Sequence, residues 1–212
     1  MTEPIIRPAR PDDVEAAVPL IFSAGPDAYR YVFTHGTAID ARDFLAHAFV
    51  SNGGEFGYPV FWVAELDGEV IATASGYSGT TAQRFMWPAL KQIFSCYGLR
   101  AGLSVVRRGL QIEKHLVPPK GPGEFYIGNV GVTPSMQGKG IGQRLFDFLH
   151  KEGRRQGTSV AVLDVSMENP RAEALYARLG YQTTKEIPSN LRNHNGYVPS
   201  HRRMEYRIVK GE

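Results

Sequence analysis

From residue 130 the chain reads Val-Gly-Val-Thr-Pro-Ser-Met-Gln-Gly-Lys-Gly-Ile-Gly, ending at Gly142. Gly138, Gly140 and Gly142 stand where a strand-like apolar run gives way to a helical one. Glycine lets the backbone turn tightly and lets a ligand approach the main chain. The first amides of a helix lack internal partners, and with the helix dipole they form an anion site. Gln137 and Lys139 add side-chain donors, and Ile141 opens the buried face of the helix. The pattern predicts a pyrophosphate cradle over Gln137, Gly138, Lys139, Gly140, Ile141 and Gly142; the plain alternative is a flexible turn. Other phosphate motifs fit poorly. Thr133 occupies the first glycine position of a P-loop, and Gly140 follows Lys139 where that motif needs Ser or Thr. The glycine spacing also differs from the dinucleotide fingerprint Gly-x-Gly-x-x-Gly.

A second stretch, Asn169-Pro-Arg-Ala-Glu-Ala-Leu-Tyr-Ala-Arg-Leu-Gly-Tyr181, reads as a short, well-bounded helix. Asn169 suits the cap, Pro170 the first position, and Gly180 the residue past the end. Ala172, Leu175, Tyr176 and Leu179 share its inner face.

These groups need a scaffold. Ile5-Ile6-Arg7 reads as a first strand. Pro11-Asp12-Asp13 opens a helix that Pro19 should kink or shorten and that stops near Gly25-Pro26. A second helix covers about Asp40 to Val50. Val60–Ala64 and Val70–Ala74 flank Asp67-Gly68, a tight-turn dipeptide, and predict a hairpin. Residues 81–117 read as two helices, with Leu103, Val106 and Leu110 at helical spacing. This segment is an insertion that packs on the domain, shapes a substrate pocket or makes a dimer contact. The Pro- and Gly-rich stretch from Val117 to Gly123 marks a boundary. Phe125–Val132 reads as a strand, about Gly138–Arg155 as a helix, and Val160–Val165 as a strand covered on both faces. Strand–helix–strand order makes these two strands parallel. Tyr181–Glu186 and Met204–Val209 read as the last strands, joined by a polar loop.

Gln137-Gly-Lys-Gly-Ile-Gly142 after a Val-ending strand resembles the acyl-CoA-binding motif of the GNAT superfamily of N-acetyltransferases. The Leu175-Tyr-Ala-Arg-Leu-Gly-Tyr181 ending resembles that family's second signature. The close match runs from about Tyr126 to Lys185, and the insertion departs from the minimal pattern. The resemblance implies one mixed α/β (α+β) domain over residues 1–212. Its central sheet would have about six or seven mostly antiparallel strands, helices on both faces, and a splayed parallel pair at the cofactor cleft. It implies acetyl-CoA as acyl donor. The backbone of Val130 and Val132 would lie against the thioester and pantetheine arm, the Gln137–Gly142 loop against the pyrophosphate, and Asn169 beside the arm. Tyr176 matches the tyrosine that protonates the departing thiolate; the alternative is a packed aromatic. The acceptor is expected to be a small-molecule or protein amine. Many relatives carry a glutamate where this chain has Tyr126. Glu124, two residues earlier and on the same side of the strand, becomes the candidate base, with Tyr126, His194, His201 or a water as rivals. Asp27, Tyr29 and Tyr31 are candidate substrate walls.

Composition agrees with an ordinary globular protein. The 212 residues are 42% hydrophobic and 21% charged, with a formal net charge of +3. The arginine pairs at 107–108, 154–155 and 202–203 are dispersed, without the basic face and exposed aromatics of a nucleic-acid binder. The single Cys96 excludes an intrachain disulfide and a multi-cysteine metal site, and no metal is expected. No long apolar run and no signal-like start is present, so a cytoplasmic protein with no membrane partner is expected, with monomer and homodimer both open. A non-catalytic acyl-CoA-binding regulatory module is the alternative to an enzyme.

Overall fold

The computed structural model describes residues 3–36, 38–115 and 121–208. Seven strands form one sheet in the order β1-β2-β3-β4-β5-β7-β6: β1 Ile5–Pro8, β2 Phe61–Leu66, β3 Glu69–Ser78, β4 Glu124–Val132, β5 Val160–Ser166, β6 Gln182–Ile187 and β7 His201–Arg207. All neighbours are antiparallel except β4 and β5. The helices are α1 Val14–Ser23, α2 Pro26–Phe33, α3 Ala41–Phe49, α4 Gly79–Ala82, α5 Met86–His115, α6 Ile141–Arg155 and α7 Pro170–Arg178.

Alternation along the strands divides the core. One face carries Phe61, Val63 and Tyr77 beneath α1, α2, α3 and α5. The other carries Ala72, Ala74, Phe125, Ile127, Ala161 and Leu163 beneath α6 and α7. Helix α1 lies so close over β4 that a Cβ on Gly131 would sit 2.2 Å from the Leu20 carbonyl oxygen. Gly131→Ala should therefore cost about 1–3 kcal/mol or more, measured by denaturant unfolding, because backbone rather than a side-chain tip must yield.

Local chemistry explains the boundaries. Asp67 and Gly68 both take positive φ (52° and 85°), as the β2–β3 turn requires. Asp40 and Asp43 form a reciprocal capping box that starts α3. Helix α1 runs through Pro19, which is exposed, to Ser23, so the proline does not shorten it; flanking Val18 and Leu20 are buried. Gly25-Pro26 ends α1 as expected but also begins α2, with proline at the first turn, a helix not expected from the sequence. Gly98, at φ 68°, breaks α5 into the two expected segments. Residues 116 and 117 of the insertion and most of the Val117–Gly123 boundary stretch lie outside the described residues. Strand β7 starts at His201 rather than Met204, because it pairs with β5 from Ser166 to Val160; Val209 lies outside the described residues.

Candidate functional site

Strands β4 and β5 pair only over Glu124–Tyr126 against Val160–Val162. Beyond Tyr126, β4 stays on β3, whereas β5 stays on β7 through Ser166. The two strands part, and the β5-facing edge of β4 from Ile127 to Val132 has no strand partner among the described residues. Between Thr73 and Ser75 of β3, β4 carries one extra residue, a bulge. Asn129 occupies it at φ 53°, a left-handed conformation unusual outside glycine. Its side chain is fixed: Tyr29 donates its hydroxyl to Asn129 Oδ1, and Asn129 Nδ2 donates to Ser75 Oγ at 2.9 Å. Asn129 was not anticipated; only its tolerance for left-handed backbone could have marked it.

The parted edge leads into the glycine loop. Gly138 and Gly140 take φ 77° and 79°, so α6 begins at Ile141 and not at Gly138; left-handed residues cannot extend a right-handed helix. A Cβ on either glycine would meet nothing within 4 Å, so the cradle is open outward, and one on Gly142 would rest 3.4 Å from Leu175 of α7. Gln137 Nε2 donates to the Val132 carbonyl at 3.1 Å, tying the loop to the end of β4. Lys139 is exposed, with Nζ 3.7 Å from Met136 Sδ. The open loop at the positive end of α6 suits a pyrophosphate, and the parted strands suit an extended arm.

Across the gap, Asn169 Oδ1 accepts from the Ala172 amide at 3.0 Å, so it caps α7. Tyr176 on α7 packs against Phe146, with ring centroids 5.2 Å apart. Burial pushes its phenol up to about 12, so it holds its proton at neutral pH. Next to it Tyr181 donates to or accepts from His150 Nε2 at 2.8 Å, and the His150 ring stacks on Tyr206 at 4.3 Å. Burial lowers His150 to about 4. The unfolded chain takes up this proton near pH 6.5, the folded protein only near pH 4. Stability should therefore fall as pH drops across that window, by about 1–2 kcal/mol after allowance for partial solvent screening. Thermal melts of the native protein should lose several degrees between pH 7 and pH 4.5, with a smaller loss for His150→Gln.

On the opposite face, Glu124 Oε2 accepts from the Gly121 amide at 2.6 Å and from Arg203 Nη2 at 3.1 Å. Arg203 is buried and also lies 3.7 Å from Asp164. Tyr126 stands beside them; burial raises its phenol, and the negative charges of Asp164 and Glu55 add to that. His201 lies at the start of β7, lowered by burial, and His194 is exposed in the β6–β7 loop. Of the three candidate wall residues, Tyr29 reaches the bulge. Tyr31 is buried and donates to Gln111 of α5 at 2.9 Å, and Asp27 pairs with Arg30. The β6–β7 loop closes on α2: Asn193 and Asn195 donate to the Tyr31 and Thr34 carbonyls, both at 2.9 Å. Among the described residues, no three His, Cys, Asp or Glu are grouped to hold a metal ion, and no helix is long and apolar enough to cross a membrane.

Residues 27–181 match the family model described as the acetyltransferase (GNAT) family. The mycothiol acetyltransferase of Beutenbergia cavernae is 40% identical over 65 residues, which are 31% of this chain and 21% of that protein. The L-methionine sulfoximine/L-methionine sulfone acetyltransferase of Salmonella typhimurium is 37% identical over 60 residues, 28% of this chain and 35% of that protein. Each match thus spans well under two thirds of the curated relative. An N-acetyltransferase structure from Staphylococcus aureus Mu50 is 18% identical, with TM-score 0.67 over 95% of this chain and all of that one. A putative acetyltransferase from Salmonella typhimurium, solved with its cofactor acetyl-CoA, is 20% identical, with TM-score 0.55 over 100% of this chain and 97% of that one. At these identities the structures show a shared fold.

Proposed function

Because the chain belongs to the acetyltransferase (GNAT) family, we propose that it transfers an acetyl group from acetyl-CoA to a primary amine by direct attack in a ternary complex. The observation that carries this reading is the parting of β4 from β5, continuous with a left-handed glycine loop at the start of α6. When bound, acetyl-CoA supplies an acetyl group activated as a thioester. The amides from Gln137 to Gly142 would hold its pyrophosphate, and the backbone of Val130 and Val132 its arm. Asn169 would border the arm while capping α7. A strand amide near Val130 would stabilise the developing oxyanion, a contribution of about 2.7–4 kcal/mol where such donors have been removed.

Tyr176 is assigned as the group that meets the leaving thiolate. A phenol near 12 stabilises a thiolate by hydrogen bonding. Complete transfer to a thiol of pKa about 8.5 is uphill by roughly 5 kcal/mol, so it must be coupled to proton loss from the new amide nitrogen. A lysine-like amine is neutral in only about one molecule in a thousand at pH 7.4, a handicap of about 4 kcal/mol that a proton acceptor reduces. Glu124 serves as that acceptor through a water, since the Gly121 amide and Arg203 hold its Oε2. Glu124→Gln should lower kcat/KM about a hundredfold, the lower end for a positioned acid or base, and should leave acetyl-CoA affinity unchanged. An unaltered pH–rate profile removes Glu124 from the mechanism.

The reading is tested by following thiol release from acetyl-CoA over a panel of amines. Amine-dependent release supports it; binding without release favours the non-catalytic module. Leu99, Leu103 and Leu110, at helical spacing after the Gly98 break in α5, are exposed, and this apolar face is where we place the homodimer contact.

A further inference from the structure

Residues 51–57, between α3 and β2, carry Glu55 to the reactive face. Helix α5 pins this loop from outside the sheet: the Gln92 side chain is buried and its Nε2 donates to the Gly53 carbonyl at 2.8 Å and the Ala48 carbonyl at 3.4 Å. Strand β3 pins it from beneath, where Tyr77 donates its hydroxyl to Glu55 Oε1 at 2.5 Å. Tyr77 pairs in register with Tyr126, and their rings lie 5.5 Å apart. Tyr126 is the last β4 residue paired with β5, so Glu55 reaches the mouth of the parted strands through two side chains. The Tyr29 ring, whose hydroxyl holds the bulge at Asn129, meets Phe56 edge-on at 6.0 Å. Burial raises the phenols of Tyr29 and Tyr77, and the charge of Glu55 raises both further.

We propose that Glu55 receives the positively charged amino group of the acceptor, and that the acceptor is a cationic amine without a carboxylate of its own. The proposal rests on the acetyl-transfer reading above. An ionised carboxylate has about four acceptor positions, so an ammonium can join Tyr77 on Glu55. Tyr29, Phe56, Tyr77 and Tyr126 give that ammonium aromatic surroundings, which favour cations. Arg203, the guanidinium beside Glu124 and Tyr126, is engaged by Glu124, Asp164 and Glu205 at 3.1, 3.7 and 4.0 Å. A carboxylate on the acceptor would gain little there and would be repelled by Glu55. The α5 insertion thereby acquires a role: Gln92 sets the loop that sets Glu55.

The test is calorimetric titration of the protein, saturated with CoA, with tyramine and agmatine. Tyrosine, arginine and the uncharged alcohol counterpart of tyramine serve as comparisons. One or both amines should bind, each parent amino acid at least about tenfold more weakly, and the alcohol not measurably. Glu55→Gln should weaken amine binding about thirtyfold or more, as loss of one partner of a desolvated charge pair does, with acetyl-CoA affinity unchanged. Tyr77→Phe keeps the carboxylate and should weaken amines only a few fold while retaining their preference over amino acids. Equal amine affinity in Glu55→Gln, amino acids binding as well as amines, or no amine binding by a protein that binds CoA would overturn the proposal. Failure of the unaltered protein to bind CoA or acetyl-CoA would remove the acetyl-transfer reading and this proposal together.

Discussion

Replacing Gly140 with Asp should weaken acetyl-CoA binding about a thousandfold or more while the protein stays folded. Gly140 is exposed, at φ 79° and with open space where its Cβ would stand. A left-handed L-residue costs about 1–2 kcal/mol, and Asp and Asn bear this conformation better than most. The new carboxylate would stand at the first amides of α6, where it stabilises the helix and opposes any other anion. Gly140→Asn has the same shape without the charge and should lose only about tenfold. Titration calorimetry of the two variants separates charge from geometry. Equal losses would mean that the loop admits its ligand by shape alone; no loss in either would remove the pyrophosphate from the loop. Added salt should weaken binding by the native protein, because the attraction is partly electrostatic.

Tyr176→Phe should lower kcat by about 10²–10³ at unchanged acetyl-CoA affinity. The ring packs on Phe146 and the α6–α7 side of the core, so phenylalanine preserves the packing and removes only the hydroxyl. Positioned proton donors are worth about 10²–10⁴ in rate. An acetyl donor whose leaving thiol is more acidic needs less help, and should narrow the gap between the variant and native protein. A Phe variant as active as native protein would return Tyr176 to a packing role. A fall in affinity at constant kcat would place its hydroxyl on the bound arm instead.

The parts of this molecule that were legible in the sequence are those whose cause is local. Asp67-Gly68 makes its turn from its own backbone preferences. Asn169 caps α7 while Pro170 sits at its first position and Gly180, at φ 91°, stands just past its end. The strand–loop–helix around Gly138 and Gly140 and the parallel pairing of β4 with β5 follow from apolar patterning punctuated by glycine. Features with distant causes stayed hidden. Gly25-Pro26 reads as a stop, and only packing of Tyr31, Val32 and Phe33 into the core turns it into the start of α2. The left-handed Asn129 depends on Tyr29, a hundred positions away in sequence, and on Ser75. Glu124 was legible as a carboxylate on the same side of β4 as Tyr126, but its engagement by Arg203 arises from the β5–β7 pairing. Glu55 carries no local signal; its place comes from Gln92 and Tyr77 on two other elements.

The most direct measurement follows acetyl-CoA carrying an isotopic label in the acetyl group, incubated with the protein and a panel of primary amines, with the label traced by chromatography. The label should move from thioester to amide in step with release of the free thiol, and only when a primary amine is present. Acetyl-CoA bound by the protein with its label left on the thioester, whatever the amine, would contradict the account and leave a protein that holds the acyl donor without using it.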